Sequence, residues 1–164
     1  MAAKGRPSDN PLIAHVSCAA EVTPLVKYIP EAGKKLMDAF WPGPLTIIFP
    51  KSDIVPYGTT GGLDTVAVRM PVDPVANRLI ALAGVPVAAP SANTSGRPSC
   101  TTAADVMEDM EARSTPWWTA ALSGGRGVYH LDLTCTPPRL LRPGGLPLEA
   151  LEEVAGPRDG GTRP

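Results

Sequence analysis

Cysteine is scarce in this sequence, and no long apolar run is present. Cys18, Cys100 and Cys135 are odd in number and far apart, which argues against a disulfide framework and a paired-cysteine zinc site and favours reduced thiols. The longest apolar run, residues 80–89, is too short and interrupted to cross a bilayer, and the N-terminus lacks the apolar region of a signal peptide. We therefore expect a cytoplasmic protein without a membrane segment.

A strong charge of either sign is also missing. The sequence has 15 lysines and arginines against 16 aspartates and glutamates, so its formal net charge is -1. Non-specific binding to nucleic acid needs a broad basic field, which this composition does not provide. Any contact with RNA would have to be local.

Several common site motifs are absent as well. The sequence contains neither G-x-x-x-x-G-K-[ST] nor G-x-G-x-x-G, which excludes the ordinary P-loop and Rossmann nucleotide sites. It has no H-E-x-x-H, paired-cysteine or EF-hand pattern, and its two histidines are isolated. We therefore expect no metal ion held by protein ligands alone.

The length and the composition favour one domain. The chain has 164 residues, 43% of them hydrophobic, which is enough for a sizeable core. Its 20 prolines and 16 glycines lie between apolar segments rather than in one block, so they indicate many turns. We assign residues 1–156 to the domain and residues 157–164 to a flexible tail.

Strand patterns alternate with helical patterns along the chain. Asp73 and Pro74 form a typical helix start and Gly84 a typical end, while β-branched runs favour strands. Helices are predicted at 31–40, 74–83, from 101 or 102 to about 111, and 147–154. Strands are predicted at 10–16, 45–49, 65–70, 85–89 (as a buried strand), "HLDLT" and "RLL". Because the two kinds of element alternate, the fold class is α/β with a mixed sheet.

Three groups of residues could bind an anionic ligand. Lys4 and Arg6 are two residues apart, so an extended segment would place both on one face; a solvated chain end is the alternative. Arg69 lies in an apolar strand, where a charge needs either an ion pair or a ligand. The stretch 90–96, "PSANTSG", offers hydroxyls, an amide and backbone N–H groups where a strand ends. A turn that caps the following helix is the alternative for this stretch.

The sequence resembles the YrdC-like family. Lys4-Gly5-Arg6 and Ser91-Ala92-Asn93 match the family's paired K-x-R and S-x-N signature. The similarity continues in the family's order from residue 4 to about 155, through "FWPGPLTIIFP", "GLDTVAVRMPVDP" and "LLRPGG". It implies a twisted mixed parallel and antiparallel sheet with flanking helices and a concave ligand cavity.

The resemblance also implies an activity. Family members combine L-threonine, bicarbonate and ATP, with Mg2+, into threonylcarbamoyl-adenylate and release pyrophosphate, so we expect a nucleotidyltransferase, an L-threonylcarbamoyladenylate synthase. A downstream tRNA threonylcarbamoyl transferase then modifies the adenosine beside the anticodon to N6-threonylcarbamoyladenosine. The family further suggests a direct contact with tRNA or double-stranded RNA, which the net charge of -1 does not independently support.

The resemblance assigns site residues by position. It implies that ATP is held by Lys4, Arg6, Asn10, Thr65, Ser91, Asn93, Ser99 and Arg142. Threonine would contact His15 and Arg69, and the guanidinium would pair with the threonine carboxylate. Lys4 and Arg6 are the catalytic candidates because, with Arg142, they would stabilise the charge that develops on the leaving pyrophosphate. No general base is identified.

Two departures from the family pattern leave alternatives open. Family members carry a strand, a P-T-[ED]-T-x-Y-G-L loop and a helix ahead of K-x-R, whereas this sequence starts almost at K-x-R, so we expect an exposed sheet edge. "SGGRGVYHLDLT" replaces a stretch that contains Glu-Ser-Thr, with Tyr129 and His130 roughly in its place. The alternatives are a non-catalytic nucleotide- or RNA-binding protein and an incomplete product. A carbamoyl-transferring module like those of hydrogenase-maturation proteins ranks below these.

Replacing Lys4 or Arg6 with alanine is expected to weaken ATP binding by roughly 1 to 3 kcal/mol, because each change removes a charge-assisted hydrogen bond. Isothermal titration calorimetry of each variant beside the unaltered protein measures this loss. An unchanged affinity would remove that residue from the nucleotide site.

Overall fold

The fold is a mixed sheet with flanking helices, seen in a computed structural model that describes residues 5, 7, 9–100, 102–110 and 128–156. The strands in these ranges are β1 (Ile13–His15), β2 (Leu45–Pro50), β3 (Thr65–Arg69), β4 (Val87–Ala89), β5 (Tyr129–Asp132) and β6 (Arg139–Arg142). The α-helices are α1 (Glu31–Phe40), α2 (Tyr57–Thr60), α3 (Pro74–Ala83), α4 (Ala103–Met110) and α5 (Leu148–Ala155). A 3-10 helix, Ala19–Leu25, follows β1. Strands and helices alternate, which confirms the α/β class.

The helices with clear local signals begin and end where the sequence predicts. The predicted helices 31–40 and 74–83 coincide with α1 and α3. The Asp73 carboxylate accepts a hydrogen bond from the Ala76 N–H at 2.9 Å, and Gly84 ends the helix with a φ of +67°. The predicted helix end at Glu111 and the predicted tail, 157–164, lie outside the described residues. No helix in the described part of the chain is both long and apolar enough to cross a membrane.

The six strands form one sheet in the order β4-β1-β3-β2-β5-β6. β1 runs parallel to β3 and β2 runs parallel to β5. The β1/β4, β2/β3 and β5/β6 pairs are antiparallel. This combination confirms the mixed sheet that the family resemblance implies.

The prediction of a buried strand at 85–89 is wrong. Among the described strands only β1 pairs with β4, so β4 lies at an edge of the sheet. Its three residues are half-buried, exposed and half-buried in turn. The preceding helix, α3, also exposes Val75, Leu79 and Leu82. An apolar sequence predicts that a strand forms, but burial also requires covering elements on both sides.

The hydrophobic core lies on one face of the sheet. Alternate strand residues enter it, together with Leu36 and Met37 of α1 and Leu151 of α5. The buried hydrophobic strand residues are Ala14, Leu45, Ile47, Phe49, Val66, Val68, Tyr129 and Leu131. Because successive strand residues point to opposite faces, the residues between them face away from the core.

The turn "WPGP" holds the start of β2 beside the end of β3. The Trp41 Nε1–H donates to the Leu45 carbonyl at 2.7 Å, and the indole is buried. The Gly43 N–H donates to the Met70 carbonyl at 2.9 Å. These two bonds fix the orientation of the Gly43 carbonyl, which contacts the candidate site described below.

Gly61→Ala is expected to destabilise the fold more than Gly62→Ala. Gly61 ends α2 with a φ of +63°, and a Cβ there would overlap the backbone oxygen of Asp9. Gly62 has a φ of +85° but nothing within 4 Å of its added Cβ. Both changes bring left-handed strain of roughly 1–2 kcal/mol, and only Gly61→Ala adds the clash. Urea denaturation compares the two losses; equal losses would show that the Asp9 backbone moves aside freely.

Candidate functional site

A cleft of about 340 Å³ opens on the side of the sheet away from the core. Strands β1, β3 and β4 contribute His15, Arg69, Val87 and Ala89 to its lining. Helix α3 supplies one wall through Ala76, Leu79 and Ile80. The cleft is therefore built from one edge of the sheet and the helix that leads into the edge strand.

The two predicted threonine-binding residues lie side by side in this cleft. His15 and Arg69 are the Cα partners at the ends of the parallel strands β1 and β3. Directly paired residues of neighbouring strands project to the same face of a sheet. His15 and Arg69 each follow apolar residues at the end of their strands, so the register brings together an imidazole and a guanidinium.

Arg69 has no acidic partner in the described structure. The salt bridges formed by described residues involve Lys34 and Arg97 but not Arg69. Its Nε–H donates to the Gly43 carbonyl at 3.2 Å, and burial lowers the pKa of the guanidinium. Of the two explanations for an arginine in an apolar strand, this arrangement favours a ligand over an ion pair.

His15 lines the cleft and bonds to the edge strand through one ring nitrogen. Its Nδ1 lies 3.3 Å from the Val87 carbonyl, and because a carbonyl can only accept, the proton of the neutral ring belongs on Nδ1. Burial and then the nearby Arg69 lower the pKa of His15, although hydrogen bonds to the backbone of Val87 and Ile13 oppose this. The lowered pKa favours the neutral ring at pH 7, in which Nε2 is the unprotonated nitrogen.

Polar side chains continue across the sheet in one line, the polar row, made of His15, Arg69, Thr46, His130 and Arg142. Thr46 pairs with His130, and His130 pairs with Arg142. The register that joins Ile47 to Val68 places Thr46 opposite Arg69. The row carries two cations on the face opposite the core.

The sequence analysis missed Thr46 and gave His130 no role. Burial, then Arg142 and Arg69, lowers the pKa of His130, while a hydrogen bond to the Val128 backbone opposes this. Thr46 Oγ1 and His130 Nδ1 are buried and have no hydrogen-bond partner among the described residues. The available signal was the alternation in "LTIIF", which puts Thr46 on the face opposite Leu45.

The described residues that were predicted to bind ATP lie in two separate regions of the structure. Thr65 lies four residues before Arg69 on the same strand face, about 13 Å away along β3. Strand β4 ends beside Ile13, so Ser91 lies toward this end of the cleft, as does Asn10 before β1. Arg142 lies at the level of His130, away from this group. Lys4 and Arg6 lie outside the described residues.

The loop after β4, residues 91–99, is held by its own side chains. Asn93 is buried, and its Nδ2 donates to the carbonyls of Thr94 at 2.9 Å and Arg97 at 2.8 Å. Both amide protons are thereby used, and the Asn93 Oδ1 is buried without a hydrogen-bond partner among the described residues, so in this conformation the amide is not exposed to a ligand. Ser91 and Ser99 are exposed at the two ends of the loop.

The alternative of a helix-capping turn at 90–96 is wrong. Helix α4 begins at Ala103, and its cap is Thr102, whose Oγ1 accepts from the Asp105 N–H at 3.1 Å. The Thr102 N–H in turn donates to the Asp105 carboxylate at 3.0 Å. This reciprocal pair is a complete helix start, so stretch 90–96 is not needed for it.

Comparison with known proteins identifies the family. Residues 1–144 match the family model Sua5_yciO_yrdC, described as telomere recombination. The chain belongs to this family. It is 52% identical over 159 residues to the threonylcarbamoyl-AMP synthase of Pyrococcus abyssi, a match that covers 94% of this chain and 46% of that protein. It is 47% identical over 161 residues to the threonylcarbamoyl-AMP synthase of Bacillus subtilis, covering 94% of this chain and 45% of that protein.

A solved structure of the family has the same fold. The crystal structure of P. abyssi Sua5 complexed with L-threonine superimposes with a TM-score of 0.90 at 51% identity, covering 94% of this chain and 46% of that one. The chain thus spans about half the length of the curated relatives it matches. The expected family and its mixed α/β sheet are confirmed.

Both histidines are expected to titrate below the ordinary pKa of about 6.5, because burial disfavours the charged ring. Arg69→Gln should raise both pKa values by removing a nearby positive charge, yet leave them below the ordinary value, since burial is the larger cause. NMR titration measures this, with exposed Arg78→Gln as the control. A His15 pKa that Arg69→Gln leaves unchanged would contradict the arrangement.

The lowered pKa values of His15 and His130 also predict how the free energy of unfolding changes with pH. The folded-state pKa lies below the unfolded one, so the unfolded chain binds the proton more readily as the pH falls below about 6.5. The contribution of each buried neutral ring to the free energy of unfolding is therefore lost with falling pH.

Proposed function

We propose that this chain makes threonylcarbamoyl-AMP from L-threonine, bicarbonate and ATP. The observation that carries the proposal is the cleft in which Arg69, without an acidic partner among the described residues, stands beside a neutral His15. Relatives at 52% and 47% identity are named threonylcarbamoyl-AMP synthases, and the similar P. abyssi structure is complexed with L-threonine. The residues present and the named relatives support the same substrate.

The cleft has the groups that an amino acid requires. The Arg69 guanidinium would pair with the threonine carboxylate through charge-assisted hydrogen bonds. The unprotonated Nε2 of a neutral His15 ring would accept a hydrogen bond from the threonine ammonium group. A neutral ring suits this role because a protonated one would repel a cation. The amine must lose a proton before it adds to CO2, or to bicarbonate with loss of water, and because the lowered pKa makes His15 a weak base, no general base is assigned.

The nucleotide would occupy the end of the cleft near the loop 91–99. Asn10, Thr65, Ser91, Asn93 and Ser99 are its proposed contacts, and the Asn93 amide, whose Oδ1 is buried, would have to turn outward to take part. Thr65 lies about 13 Å from Arg69 along the strand and on the same face, so the proposed nucleotide contacts would extend the cleft along this face of the sheet.

The reaction needs positive charge at the leaving group. The carbamate oxygen formed from threonine would attack the α-phosphorus of ATP, and pyrophosphate would leave with the electron pair of the broken bond. Lys4, Arg6 and Arg142 are the proposed cations that stabilise this charge. No group of three or more metal-ligating side chains occurs among the described residues. Mg2+ bound to ATP takes phosphate oxygens and waters as ligands, so the residues present are compatible with Mg2+ arriving with the nucleotide.

The chemistry of the proposed product indicates which enzyme would act after this one. Threonylcarbamoyl-AMP is a reactive mixed anhydride, so a group-transfer enzyme must consume it, here a tRNA threonylcarbamoyl transferase. Such a reaction places the chain in the cytoplasm. A direct contact with tRNA or double-stranded RNA remains a prediction from the family resemblance.

The test is threonine-dependent product formation. Purified protein with ATP, Mg2+, bicarbonate and threonine is expected to yield threonylcarbamoyl-AMP by mass spectrometry, and the same mixture without threonine should yield none. Arg69→Ala should abolish the product while ATP binding is retained, whereas exposed Arg78→Ala should leave both unchanged.

The failing outcomes separate the alternatives. ATP binding without product from a cooperatively unfolding sample would replace the proposal with a non-catalytic nucleotide-binding role. A broad, uncooperative thermal transition would indicate an incomplete folding unit. Equal losses of ATP and threonine binding in Arg69→Ala would assign Arg69 a structural role.

A further inference from the structure

We propose that Asp109 is a positioning residue that fixes the loop 91–99 in the shape that binds the nucleotide. Asp109 lies in α4, outside the cleft, and the sequence analysis assigned it no role. The inference rests on the proposed function for its nucleotide part. Its structural part concerns the order of the loop and can be measured separately.

The Asp109 carboxylate binds the loop at two points. Its side chain is 6% exposed, and its Oδ2 accepts a hydrogen bond from the Thr94 N–H at 2.9 Å. Its Oδ1 pairs with the Arg97 guanidinium. The Asp109 backbone carbonyl also accepts from the Thr94 hydroxyl at 3.1 Å. One helical residue therefore holds a backbone amide, a hydroxyl and a guanidinium of the same turn.

A second set of hydrogen bonds, from Asn93, holds the loop from inside and differs in its role from the contacts with Asp109. The Asn93 amide bridges the carbonyls of Thr94 and Arg97 from inside the turn, and Gly96 supplies a φ of +88°. Asn93 closes the turn from within, whereas Asp109 joins its backbone to α4. Because residues 91 and 99 flank this turn, its attachment to α4 sets where both proposed nucleotide contacts lie.

The opposite charges of Asp109 and Arg97 also affect nucleotide binding. The hydrogen bond from the Thr94 backbone and then that from Arg97 lower the pKa of Asp109, so the carboxylate is ionised at neutral pH. An ionised carboxylate near a polyphosphate is repulsive unless a cation offsets it, and Arg97 does so. Arg97 also lies 3.9 Å from Glu108, whose side chain is 78% exposed. Glu108 touches the same guanidinium without touching the loop backbone and is therefore the matched control.

The experiment compares Asp109→Ala, Asp109→Asn and Glu108→Gln in the full chain. The readouts are hydrogen exchange of the Thr94 amide, and ATP and threonine affinities by calorimetry with Mg2+ present. Asp109→Ala should speed exchange at Thr94 and weaken ATP binding, each by about tenfold, the loss of roughly one charge-assisted hydrogen bond. Threonine binding at His15 and Arg69 should be unchanged. Asp109→Asn should restore part of both effects, since its amide oxygen can accept from Thr94, and Glu108→Gln should change neither.

Several outcomes would overturn the inference. Unchanged exchange at Thr94 in Asp109→Ala would show that the carboxylate does not order the loop. Faster exchange with unchanged ATP affinity would show that the order does not serve the nucleotide. Parallel losses of ATP and threonine binding, in Asp109→Asn as in Asp109→Ala, would indicate general destabilisation. If the unaltered protein binds threonine but no ATP, the nucleotide role of the loop and the proposed function fail together, while the exchange data still decide whether Asp109 orders the loop.

Discussion

The two-residue alternation of β3 is the constraint on which the rest of the structure depends. Val66 and Val68 fill the core, and Thr65 and Arg69 face the other side. A shift of one residue in strand register would put a guanidinium among the core side chains and two valines into the cleft. The hydrophobic free energy of the core therefore also fixes the site, because burying the valines leaves Arg69 only one direction in which to project.

The half-buried guanidinium of Arg69 needs a hydrogen-bond acceptor and little additional positive charge around it. The Gly43 carbonyl accepts one of its hydrogen bonds, and this carbonyl is held by the turn between α1 and β2. The two nearest titratable rings, His15 and His130, have lowered pKa values and therefore add no positive charge. Arg69 is thus the cation in the lining of the cleft, which also contains Asp73, and Arg142 adds positive charge farther along the polar row, although the whole chain has a net charge of -1. Local positive charge in an overall neutral protein favours a small anionic ligand over the long backbone of a nucleic acid.

Features that depend on neighbouring residues could be predicted from the sequence, whereas features that depend on residues far apart in the chain could not. Helix α3 was predicted to the residue because its start at Asp73 and its end at Gly84 are decided by neighbouring residues. The burial of β4 was predicted wrongly because burial depends on which elements pack beside a strand. The pairing of His15 with Arg69 came from the family resemblance, since these residues are far apart in the chain. The polar row could not be predicted from single strands, because Thr46, His130 and Arg142 meet only through the registers of β2, β5 and β6.

The loop 91–99 shows why residue type alone gives an incomplete account of a site. Hydroxyl and amide groups suggest ligand contacts, yet both amide protons of Asn93 are used inside the loop. A buried donor left without a hydrogen-bond partner destabilises the fold. A polar side chain in a tight turn therefore tends to bond to nearby backbone groups, and those donors are then not available to a ligand. The contact with Asp109 adds an external support 12 to 15 residues later in the chain. The cleft therefore combines two kinds of rigidity: strand register fixes His15 and Arg69 at one end, and side-chain hydrogen bonds fix the loop at the other. The proposed reaction, which would join an amino acid to a nucleotide, needs both ends held at a constant separation, and the sheet lies between them.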